Sequence, residues 1–188
     1  MPFLVEPTPP APVYETRTAT CNLVSTGAQS TVVIGNFMLS ETEGTPGLKI
    51  QGQVAGLEAL PGSPETIGFH VHQYGDTSPG LDGVNCSRTG GHWNPTGVPH
   101  GSYDAAVRHV GDMKPIRAGA ALVDYMYTDY IASMFGNDSI GGRSLVIHAM
   151  TDDQGQGGND SSEANGNAGP RLACCTISFV ATPTGDDD

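Results

Sequence analysis

Positive charge is what this sequence has least of. Eight Lys and Arg stand against 20 Asp and Glu, a formal net charge of −12 over 188 residues. Nucleic acid and anionic lipid both bind through neutralising Lys and Arg, which excludes them as main partners. No run approaches the roughly 20 apolar residues of a membrane span, and no segment sustains a helical period for three turns. Met1 to Val13 has no basic start, and Pro2, Pro7, Pro9, Pro10 and Pro12 interrupt it, so no secretion leader is read there. Four cysteines (Cys21, Cys86, Cys174 and Cys175) are too few for a fold built on disulfides. The expected compartment is the cytoplasm. Sequons at Asn85, Asn137 and Asn159 leave a secreted mature form open.

What is present fits one domain with a real core. Gly and Pro together, 26 and 14 residues, stay below the share that signals disorder. Residues 1–16 are Pro-rich and read as an extension, 17–181 as the folded domain, and 182–188 as an acidic tail. Short runs rich in β-formers, separated by turn residues, predict strands near 18–25, 30–39, 47–55, 67–74, 108–114, 119–127, 143–150 and 171–181. Alternation supports this: Lys49, Gln51 and Gln53 oppose Ile50, Gly52 and Val54, and Phe69 and Val71 oppose His70 and His72. An all-β, antiparallel sandwich or barrel of about eight strands follows. Two long loops, about 75–107 and 151–170, exceed the usual length and are expected to be functional.

All six histidines fall between positions 70 and 148. The strand spacing of His70 and His72 points both rings to one face, as chelation requires. Two such rings alone are more often a polar sheet surface, but the other four change that balance. His92, His100, His109 and Asp112 supply three nitrogens and one oxygen within 21 residues, a closed tetrahedral set of the kind zinc accepts. His70, His72 and His148 with one shared ligand make an all-imidazole site, which suits copper and one-electron chemistry.

The blocks Gly-Phe-His70-Val-His72, Gly-Gly-His92-Trp-Asn-Pro, Pro-His100-Gly, Arg-His109-Val-Gly-Asp112, Leu-Val-Ile-His148 and Gly-Asn-Ala-Gly-Pro-Arg171-Leu-Ala-Cys174 resemble the copper/zinc superoxide dismutase family. The resemblance runs from about Thr18 to Val180 and implies an eight-stranded Greek-key β-barrel. It implies copper held by His70, His72, His92 and His148, and zinc held by His92, His100, His109 and Asp112, with His92 shared between them. It implies that Asp152 links a copper ligand to a zinc ligand, that Arg171 holds the anion near copper, and that His92 and Arg171 are catalytic. Cys86 and Cys174 match the family's disulfide, which leaves Cys21 and Cys175 as thiols, while Trp93 is read as packing. The implied activity is that of an oxidoreductase. Two superoxide anions and two protons become oxygen and hydrogen peroxide as copper alternates between copper(II) and copper(I). A homodimer, and a copper chaperone as loading partner, come with the resemblance.

The pattern also departs from its relatives. The 151–170 loop contains no Lys or Arg, and Met150 and Ala164 stand where lysines are common, so weak steering of anions is expected. Arg88, Arg108 and Arg171 remain as candidates for a local positive mouth. His72 and Cys86 are 14 positions apart, longer than usual, with the extra residues near Ser78–Gly83. Gly141 replaces a larger apolar residue at the common dimer contact. The rival reading is a non-catalytic copper-binding or copper-delivery domain of the same fold. Loss of a copper ligand or of Arg171 would have favoured it, and neither is lost.

Overall fold

The computed structural model describes residues 13–27 and 31–181. Most of the expected N-terminal extension and all of the tail at 182–188 lie outside these residues. The strands are β1 (Thr16–Asn22), β2 (Val24–Ser25), β3 (Ile34–Thr42), β4 (Leu48–Ala55), β5 (Thr66–Ile67), β6 (Phe69–His72), β7 (Ile116–Arg117), β8 (Leu122–Asp129), β9 (Ser144–His148), β10 (Arg171–Thr176) and β11 (Ser178–Phe179), with one short helix, α1 (Asp160–Asn165). A five-stranded sheet runs β11-β1-β3-β4-β8, a four-stranded sheet runs β2-β10-β9-β6, and β5 pairs with β7. Every pairing is antiparallel. The chain leaves β4 for β6 in the other sheet, then returns so that β8 lies beside β4.

Alternation decides which face of each strand turns inward. In β4, Leu48, Ile50 and Val54 are buried and Lys49, Gln51 and Gln53 exposed, as the period of two requires. Phe37 from β3, Phe69 from β6 and Tyr125 from β8 meet between the sheets, with ring centroids 4.9 to 5.8 Å apart. The Tyr125 hydroxyl donates to Lys114 O at 2.8 Å, so the ring is buried without stranding its polar end.

β6 breaks the simple inside–outside rule, since all four of its residues are buried. Phe69 and Val71 join the core. His70 and His72 face the other way and are covered by loops. β6 is the edge of its sheet, and the long loop pairs along it: Trp93 N donates to Val71 O at 2.8 Å, and Val71 N donates to Gly111 O at 2.9 Å. An exposed strand edge is thereby closed, and the loop's histidines are delivered to those of the strand.

Two sequence expectations are corrected. The strand expected at 108–114 does not form. His109 N donates to Asp112 Oδ2 at 2.8 Å and Asp112 N donates to His109 O at 3.2 Å, a local turn that outcompetes extension. Cys21 and Cys175 are not thiols. They form a disulfide with Cα atoms 5.2 Å apart, and no free cysteine is found among the described residues. Both side chains point into the core, where β1 of one sheet faces β10 of the other. Cys174, the next residue, points to the opposite face and bonds Cys86.

Candidate metal centre

The backbone first fixes the rings. His72 Nδ1 donates to Gly90 O at 2.8 Å and His148 Nδ1 donates to Gly169 O at 2.9 Å. A carbonyl only accepts, so each ring carries its proton on Nδ1 and presents a bare Nε2. Those two Nε2 atoms lie 3.2 Å apart, lone pair toward lone pair. His70 Nε2 donates to Asp152 Oδ2 at 2.8 Å, which leaves Nδ1 as its free nitrogen. His70 Nδ1 and His92 Nε2 are both buried without any hydrogen-bond partner. Buried polar atoms are rarely left so. One ligand atom from each of His70, His72, His92 and His148 falls within 4.8 Å of the others. Four inward-facing imidazole nitrogens with no proton between them are a donor set that asks for a cation, and all-nitrogen donation suits copper.

A second convergence lies on the far side of His92. Asp112 Oδ1 is 3.1 Å from His92 Nδ1, 2.8 Å from His100 Nδ1 and 3.2 Å from His109 Nδ1. Three nitrogens around one carboxylate oxygen fit the tetrahedral preference of zinc. His70, His92, His100 and Asp112 also fall within 4.8 Å of one another. His70, however, is engaged by Asp152 through its other nitrogen. His92 faces both sets, Nδ1 toward Asp112 and Nε2 toward the copper-type donors. The structure therefore brings together all seven residues singled out from the sequence as ligands.

Electrostatics follows from burial and these contacts. Burial and the nearby His70 push His92 down to about 3. Burial likewise lowers His72 and His148 well below the ordinary imidazole value. Burial would lower His100 too, but hydrogen bonds to Asp112 and Asp152 outweigh it and raise His100 to about 9. For Asp112 and Asp152, burial pulls upward and loses to the histidine contacts, so both carboxyls are held well below their usual range.

A cleft of about 690 Å³ opens onto His72, His92 and His148. Arg171 lines it, half-buried, with Nη1 donating to Cys86 O at 3.0 Å and Nη2 to Gly90 O at 2.6 Å. Gly90 O thus serves both His72 and Arg171. Of the three arginines considered for a positive mouth, only Arg171 is on the cleft wall. Arg108 is buried and paired with Asp129 Oδ2 at 2.6 Å, and its other nitrogen donates to Asp112 O at 2.7 Å. It braces the zinc-type loop from behind. Arg88 turns to Pro79 O and lies 3.9 Å from Asp76. Sequence reading missed Arg108–Asp129 and the carbonyls of Gly90 and Gly169, because a backbone acceptor leaves no mark in the sequence. Trp93 packs as expected, and the Arg143 guanidinium sits 3.1 Å from its ring centroid.

Residues 33–177 match the family model described as copper/zinc superoxide dismutase. The chain is similar to an extracellular Cu-Zn superoxide dismutase of Caenorhabditis elegans, 45% identical over 136 residues, 71% of this chain and 56% of that protein. It is 41% identical over 152 residues to Cu-Zn superoxide dismutase 4 of Dictyostelium discoideum, covering 79% of this chain and 93% of that one. It is 43% identical over 140 residues to a Cu-Zn superoxide dismutase of Cryptococcus neoformans var. grubii, covering 73% and 83%. The chain thus spans just over half of the nematode protein and most of the other two.

Proposed function

The chain belongs to the copper/zinc superoxide dismutase family, and from that premise we propose that it is an oxidoreductase that disproportionates superoxide to oxygen and hydrogen peroxide. The observation that carries the reading is the donor set itself: two buried, unpartnered ring nitrogens, His70 Nδ1 and His92 Nε2, beside the facing Nε2 atoms of His72 and His148. Those four would hold copper. Nδ1 of His92, His100 and His109, with Asp112 Oδ1, would hold zinc. When bound, copper supplies one-electron oxidation and reduction, and zinc supplies a fixed positive charge.

The chain's own residues do the rest. Arg171, steadied by Cys86 O and Gly90 O, offers charge-assisted hydrogen bonds to a small anion entering the cleft. Asp152 orients His70 and His100 together. His92 Nε2, buried without a partner and facing the copper-type donors, is the ring atom at which a proton would be taken up and released.

The two disulfides support an oxidising compartment, as does the extracellular nematode relative, rather than the cytoplasm expected from the sequence. A homodimer is the assembly we favour. Phe179 is half exposed and its ring occupies the space a Gly141 side chain would take, so an apolar surface persists at that position. Equilibrium sedimentation tests this directly.

The deciding experiment is pulse radiolysis of superoxide on protein of known copper and zinc content. Decay at about 10⁸ M⁻¹s⁻¹ or faster per copper supports the enzyme. No acceleration at full copper occupancy overturns it and leaves copper binding or delivery as the function.

A further inference from the structure

The longer segment between His72 and Cys86 does not stay clear of the cleft. Val84 and Asn85 at its end, and Ser87 just beyond, line the same wall as Arg171. Asp82 is fixed within this segment: its carboxylate accepts from Val84 N at 3.0 Å and from Ser87 Oγ at 2.8 Å. Arg171 Nη1 donates to the carbonyl of Cys86, the residue next to Ser87. A short path of two hydrogen bonds and one peptide unit therefore connects the carboxylate to the guanidinium. Among the residues lining the cleft, Arg171 is the one Lys or Arg, and none is acidic.

We propose that Asp82 sets the anion affinity of the cleft by offsetting the positive field of Arg171, which makes it a specificity-determining residue. The inference rests on the superoxide reading above. A small anion drawn by Arg171 also feels the Asp82 carboxylate, one hydrogen bond removed from the cleft wall at Ser87, so part of the attraction is cancelled before contact. The coupling runs both ways. Arg171 adds to Val84 N–H and the Ser87 hydroxyl in holding the Asp82 carboxyl below its ordinary value, and Asp82 favours the charged form of Arg171 against burial. The neighbouring acid, Asp76, is spent elsewhere, on Ser78 and on Arg88. Two acids on one loop thus differ in their partners: Asp82 is bonded to Ser87 of the cleft wall, and Asp76 to residues off it.

The test uses the copper- and zinc-loaded full chain with azide, a stable monoanion, titrated against the visible copper band. At low salt, Asp82→Asn should tighten azide about two- to fivefold, the size of one exposed charge pair. The gain should vanish near 1 M salt, where screening falls to about 3 Å. Asn keeps an oxygen for Val84 N, and Asp82→Glu, which keeps the charge, should bind azide as the unaltered chain does. Asp76→Asn removes the same charge from the same loop and should change nothing. Equal effects of Asp82→Asn and Asp76→Asn would reduce the role to net charge and overturn the proposal. So would no effect of Asp82→Asn in a protein whose azide binding is weakened by Arg171→Gln. If azide binds as described but superoxide does not turn over, the functional reading fails while the assignment of Asp82 stands.

Discussion

Asp152 lies 2.8 Å from His70 Nε2, and its second oxygen lies 2.8 Å from His100 Nε2. One carboxylate on the second long loop therefore sets ring orientation in both donor sets. Asp152→Asn keeps only one acceptor and should lower affinity for both metals about 10- to 100-fold. Competition against chelators of graded strength measures it. Loss of one metal alone would show that the two sets are held independently.

Gly166 ends α1 with a left-handed backbone, φ 66°. A side chain there would also stand 1.9 Å from Asp152 Oδ1 and 2.6 Å from His100 Nε2. Gly166→Ala should lose zinc retention as well as stability. Gly97 has the same φ, 66°, but open space around it. Gly97→Ala should cost only about 1–2 kcal/mol of backbone strain and keep its zinc. Equal metal retention in the two variants would refute the clash.

The Cys21–Cys175 bond joins the two sheets through the core, across 154 positions of chain. Replacing both cysteines with alanine should cost about 2–4 kcal/mol in guanidinium unfolding, with Cys86–Cys174 left intact. The denatured, unreduced natural chain should show no titratable thiol. A count of two thiols would mean this bond does not form in solution.

Stripped of metal by chelation, the protein should be most stable near neutrality. The folded His92 ring protonates only at about 3, and His72 and His148 are lowered in the same direction. Below about pH 6.5 the unfolded chain takes up protons that these folded rings refuse, so stability falls. Below about pH 4, Asp112 and Asp152 add to the loss as their depressed carboxyls are reached. His100, raised to about 9, acts oppositely: its contribution is complete below about 6.5 and disappears as pH climbs through 9. Thermal midpoints should therefore drop from pH 7 to 5 and, less steeply, from 7 to 9.5. A midpoint that rises toward pH 5 contradicts this.

Much of this was legible in the chain itself. Alternation in 48–55 and 69–72 placed the core and turned His70 and His72 to one face, because a strand's period of two is local geometry. The spacing of His92, His100, His109 and Asp112 named a donor set, because ligand chemistry restricts which side chains qualify. Tertiary structure alone decided other matters. The stretch at 108–114 has strand-like residues, yet the Asp112 carboxylate bends it into a turn. Arg108 looks like a surface cation and is buried on Asp129. Cys21 and Cys175 look like spare thiols and are bonded across the barrel. Arg171 reaches Cys86 O only because the loop that carries Asp82 and Ser87 folds back over β10. The turn at 109–112 is a local contest that the carboxylate wins; the other cases depend on partners distant in sequence, so local pattern cannot specify them. The sequence by itself determined which atoms can bind metal and which strand faces turn inward. Packing of the loops against β6 decided which nitrogens converge, which charges are cancelled, and how the cleft receives an anion.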